Sequence, residues 1–104
     1  MSGRLEQLEA LAKQNPDDTF IQYAIALEYV SSDQLEEAIQ TLEVLMTKDP
    51  DYSASFHQAG RVYERLEKID DARRCYEQGI EVAAKQGESH AQKEMREALY
   101  MLNE

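Results

Sequence analysis

The residues able to do chemistry are few and scattered. His57 and His90 stand far apart, in no metal-ligand spacing such as HExxH or CxxC. Cys75 is the only cysteine, set among Arg73, Arg74 and Tyr76. Arginine neighbours can lower a thiol pKa, but an inert cysteine on a helix face is the plainer reading. Asp17-Asp18, Glu36-Glu37 and Asp70-Asp71 look like paired carboxylates. Each pair opens a helix, where the macrodipole and capping account for acid groups without a metal. With no nucleophile beside an activating partner and no glycine-rich loop after a strand, the expectation is no enzyme, no metal and no cofactor. Two stripes remain. His57, Arg61, Arg65 and Lys68 recur at i, i+4, i+8 and i+11, a basic line in an acidic chain. Phe20, Ile21, Tyr23, Ile25, Ala26, Leu27, Tyr29 and Val30 make one helix apolar nearly all round, a helix expected to be covered on every side.

The elements that must position these stripes follow from composition and periodicity. A chain of 104 residues, 42% of them hydrophobic, suits one domain with a core. Its 4 glycines and 2 prolines are too few for an all-β fold, which needs frequent turns. Acidic side chains outnumber basic ones 21 to 11, giving a charge of −10. That balance opposes a broad footprint on nucleic acid or on an anionic membrane. Phe20 to Val30, the longest apolar-rich stretch, falls well below the ~20 residues of a spanning helix. The N-terminal stretch carries charges throughout and does not read as a signal peptide. With a single cysteine and hence no internal disulfide, a cytoplasmic location is expected.

An internal repeat organises the chain. An offset of 34 residues lays Pro16-Asp17 on Pro50-Asp51, Tyr29 on Tyr63, Ala38 on Ala72 and Glu43 on Glu77. Leu35 then meets Ile69, Ile25 meets Ala59, Ala26 meets Gly60, and Leu42 meets Tyr76. Each unit reads as two helices separated by a polar break, at Ser31–Gln34 in the first and Glu67-Lys68 in the second. Asp17-Asp18-Thr19 supplies N-cap candidates. Asp49-Pro50 ends a helix, because the residue before proline is pushed out of the helical region. Gln86-Gly87 closes the second unit, with Gly87 a C′ candidate. Leu5, Leu8, Leu11 and Ala12 form a helix that overlays the second half of a unit. Ala91, Met95, Ala98, Leu99 and Leu102 form another amphipathic stripe.

This unit resembles the tetratricopeptide repeat. Phe56, Ala59-Gly60, Tyr63, Ala72, Tyr76 and Gly79 fall on that pattern, as do Ile25-Ala26, Tyr29, Ala38, Leu42 and Pro50. Gln22 departs from it, standing where a bulky apolar group is usual. The resemblance implies an all-α fold of antiparallel helix–turn–helix repeats stacked as a short right-handed solenoid. Residues 4–15 would be a half-repeat helix, 19–52 and 53–86 two repeats, and 88–103 a capping helix. That last helix is expected on the preceding one, around Ile80 and Ala83, rather than over the groove.

The resemblance further implies a concave face lined by Phe20, Tyr23, Leu27 and Val30, then by His57, Arg61 and Arg65. Family members that bind chaperone tails hold a terminal carboxylate with a lysine–asparagine clamp. Tyr23, Leu27 and Gln58 occupy the matching places here, so that mode is not expected. The implied function is a scaffold holding a peptide or helix of a protein partner in the groove. The alternative is a homodimer through the apolar face of the first repeat helix. The apolar stripe could also be covered by the chain's own last helix, and the basic one could be a solvated face with local pairs such as Glu64–Lys68.

Overall fold

Local signals set the helix boundaries in the computed structural model, which describes residues 3–103. The helices are α1 (Gly3–Gln14), α2 (Thr19–Ser31), α3 (Leu35–Lys48), α4 (Ser53–Arg65), α5 (Ile69–Lys85) and α6 (Ser89–Leu102), with no strand among the described residues. Asp18 caps α2: its carboxylate accepts from the Ile21 N–H at 3.2 Å. Ahead of Pro50, Asp49 leaves the helical region, at φ −134° and ψ 76°, and closes α3.

The turns after α2, α4 and α5 share one device. Asp33, Glu67 and Gly87 sit in the left-handed region at φ 61°, 61° and 70°. The next N–H reaches back to a carbonyl five residues earlier: Gln34 to Tyr29, Lys68 to Tyr63, and Glu88 to Ala83, at 2.8–2.9 Å. This pairing satisfies helix-end carbonyls that would otherwise be orphaned. Gly87 adopts the conformation without penalty, whereas Asp33 and Glu67 strain against their Cβ. Glu67 makes no side-chain hydrogen bond or ion pair within the described residues. Glu67→Gly is therefore expected to stabilise the chain by about 0.5–1 kcal/mol, relief of strain exceeding the added freedom of the unfolded chain. A thermal melt checks this, and an unchanged or lower midpoint counts against it.

Consecutive helices pack on one another from α1 to α6, in a body 40 × 29 × 20 Å. The core lies between α3, α4 and α5, around Leu42, Phe56, Val62 and Tyr76. Small residues permit the close approaches. A Cβ on Gly60 would fall 2.7 Å from ring carbons of Tyr76, and one on Gly79 2.8 Å from the Phe56 Cβ. A polar latch ties the same helices together. Glu43 of α3 accepts from the Tyr63 hydroxyl of α4 and from Arg74 of α5, at 2.9 Å for the arginine, whose guanidinium lies over the Tyr63 ring.

α6 packs extensively on α5 and touches α4. Met95 is fully buried against Gly79, while Ala91, Ala98, Leu99 and Leu102 pack on the core. Ala83 is buried and Ile80 half-buried on the α5 side. Phe20 meanwhile stays 71% exposed, so α6 does not cover the first repeat's apolar face.

Candidate functional site

α2 and α4 lie side by side, and their facing residues set the groove. Tyr23 of α2 lies beside Gln58 of α4 and meets Tyr52 edge-on, with centroids 5.4 Å apart. Arg65 of α4 pairs with Asp33 at the end of α2, at 2.6 Å. Tyr23 and Val30 are half-buried against the core, leaving Phe20 and Leu27 as the exposed apolar residues of this face. The chain by itself therefore does not cover α2 all round. No other helix among the described residues closes over its outer side.

The basic stripe divides by environment. His57 is half-buried, edge-on to Tyr76, and faces Glu94 of α6. Burial lowers its pKa below the usual histidine value, Glu94 opposes that shift, and Arg61 adds to it. His57 is thus held neutral near pH 7 and works as a packing group. Arg65 is committed to Asp33. Arg61 is exposed and makes no ion pair among the described residues. Glu64 does not pair with Lys68, because its carboxylate accepts the Tyr76 hydroxyl instead. Arg61 and Lys68 are the stripe's available cations among the described residues.

Two exposed surfaces escaped the reading of the sequence. Leu8 and Leu11 of α1 form a second wall beside α2, giving a groove of about 560 Å³ with Phe20, Ala24 and Leu27. The 34-residue offset held the signal, since it lays Leu11 on Leu45. On α6, Tyr100 and Met101 stand exposed among Lys93, Arg96 and Glu97. Periodicity placed both off the buried stripe without showing that nothing packs there.

Chemically the site is quiet. Cys75 is fully buried, and its thiol is pushed up to about 12, burial outweighing the adjacent Arg74 guanidinium. It stays protonated and shielded, as suits an inert core thiol. Among the described residues, no group of three or more His, Cys, Asp or Glu side chains is placed to hold a metal. None of the described helices is long and apolar enough to cross a membrane.

A tetratricopeptide repeat family model matches residues 1–100. The chain belongs to the tetratricopeptide repeat family. A TPR repeat-containing protein of Pseudomonas aeruginosa is 29% identical over 91 residues, 88% of this chain and 87% of that one. A tetratricopeptide repeat domain protein from Salinibacter ruber, solved by NMR, is 38% identical. Its match covers 84% of this chain and 88% of that one, at a TM-score of 0.80. PcrH, solved in complex with the chaperone binding region of PopD, superposes at a TM-score of 0.89 over 95% of this chain and 75% of its own. At 16% identity that likeness concerns the fold alone. Tetratricopeptide repeats are generally protein-interaction scaffolds and typically non-catalytic.

Proposed function

We propose that the chain is a non-catalytic scaffold, acting in the cytoplasm, that holds a peptide or helix of a partner protein along its concave side. The observation that carries this reading is Phe20, an aromatic ring 71% exposed beside Leu27 in a groove of about 560 Å³. Exposed apolar patches of this kind mark interaction sites. The partner's apolar side would rest on Phe20, Tyr23 and Leu27, and its acidic groups would lie toward Arg61. Apolar burial would supply most of the affinity, and the charge would set orientation and on-rate. PcrH, of the same fold, has been captured with a segment of another protein, which supports the class of partner.

The test is recovery of partners on immobilised wild type, Phe20→Glu and Arg61→Glu/Arg65→Glu. Phe20→Glu should cost at least about tenfold in retained partner, since it puts a charge where an apolar anchor binds. Equal recovery on all three proteins sinks the proposal. A homodimer through the same exposed face is the competing reading. Light scattering over a concentration range separates the two, because a strictly monomeric chain excludes the dimer.

A further inference from the structure

The repeat offset gives the α1–α2 groove an internal template. It carries α1 onto α3 and α2 onto α4, and the berth between α3 and α4 is filled by α2. Leu45 of α3 is 3% exposed where α3 meets α2, whereas its counterpart on α1, Leu11, is 46% exposed. On α4, Gln58 lies beside Tyr23 of α2, and Arg65 pairs with Asp33 just past the end of α2. Their counterparts on α2 are Ala24 and Ser31, which line the open groove with Phe20 and Leu27. Arg4 and Glu28 pair across it at 3.4 Å, and the rest of the lining is mostly apolar.

We propose that this groove is the berth of an additional α-helix, supplied by a partner protein, which sits on α1 and α2 as α2 sits on α3 and α4. This rests on the scaffold reading above and names the form of its partner. The internal occupant states the chemistry required. α2 meets its neighbours through Tyr23, Ala26, Tyr29 and Val30, with Ala26 fully buried. The incoming helix therefore presents a small residue flanked by bulky apolar ones over about two turns. Its buried stripe carries no charge, because the groove offers only a cation and an anion that already pair with each other.

A second copy is a poorer occupant. The outer face of α6 sets Lys93, Arg96 and Glu97 around Tyr100 and Met101, charges that the berth would strand. Two grooves meeting about a two-fold would cover few large apolar side chains beyond Phe20, Leu11 and Leu27, against about 20–30 residues a side in a standard interface. They would also bring together two chains of charge −10.

The probe is a stapled synthetic helix of about 15 residues, carrying Tyr, Ala, Tyr and Val at the spacing of Tyr23, Ala26, Tyr29 and Val30 on a Gln/Ser background. It is titrated into the full chain and followed by amide chemical shifts and fluorescence anisotropy. Expected are saturable binding, shifts centred on α1 and α2 around Leu8, Leu11 and Ala24, and little change in affinity between about 0.1 and 0.5 M salt. Leu11→Glu should weaken binding at least about tenfold, while Arg61→Glu/Arg65→Glu changes it less than about twofold. Leu11 and Phe20 are both exposed, so Phe20→Glu serves as a second folded variant. The berth is overturned by absence of saturation, by shifts centred on α4 and α6, or by undiminished binding of a probe whose central alanine is replaced by glutamate. Native-partner recovery that falls on Arg61→Glu/Arg65→Glu but not on Leu11→Glu removes the berth and leaves the concave scaffold standing. A dimer seen by light scattering and abolished by Leu11→Glu makes a second copy the occupant and overturns the partner helix.

Discussion

Tyr76→Ala is expected to lower the stability of the chain by about 4 kcal/mol, in the range found when a large buried aromatic is truncated. The Tyr76 ring is fully buried and occupies the space that Gly60 leaves by having no side chain. Its hydroxyl donates to Glu64, and its edge meets His57. Truncation opens a cavity between α4 and α5 and strips a partner from a half-buried carboxylate. For a domain of this size the loss is a large part of a total of about 5–15 kcal/mol. Gly60→Ala attacks the same seat from the other side. The added methyl would lie 2.7 Å from Tyr76 Cδ1, and moving a fully buried ring costs about 1–3 kcal/mol. The two changes should not add, because the methyl of Gly60→Ala fits the cavity left by Tyr76→Ala. Urea melts of both single variants and the double variant decide it. Strict additivity would show that the two residues do not share one seat.

Removal of α6 by truncation before Ser89 is the second large effect, expected to cost on the order of 5 kcal/mol. Met95 alone accounts for ~1.5–3 kcal/mol of apolar burial, and Ala91, Ala98, Leu99 and Leu102 add to it. The truncated chain would also bare Phe56 and the α5 surface at Gly79 that Met95 covers. Circular dichroism should show a lower, broader melt with loss of helix beyond that of α6 itself. A truncated chain that melts at the wild-type temperature and gains affinity for the helical probe would instead make α6 a removable lid. Met95→Glu keeps the chain length and should reproduce most of the loss by forcing a charge into a closed site. That separates packing at this face from any effect of shortening the chain.

Much of this architecture was legible in the residues because the informative signals are local and periodic. The 34-residue offset, the Asp-Pro junction and the N-cap at Asp18 are each written in neighbouring side chains or in spacings. Such signals state where a helix starts, where it stops and which residues share a face. What stands opposite a face is a different matter. α2 looked like a helix to be covered all round, yet only the tertiary structure shows that α6 goes to α5 and leaves Phe20 bare. Leu11 and Leu45 are the same residue type at equivalent places, and a neighbouring helix is what separates 46% exposure from 3%. Glu64 could serve Lys68 on its own helix or Tyr76 across the interface, and the buried hydroxyl takes it. Cys75 has arginine beside it in sequence, but the fold turns its thiol inward, where burial outweighs the guanidinium. Asp33 and Glu67 adopt a left-handed turn that their residue types do not announce, because the geometry of the turn demands it. Sequence determined the elements and their faces, since those depend on contacts a few residues apart. Tertiary structure decided which faces remain open, since that depends on where elements distant in the chain come to rest.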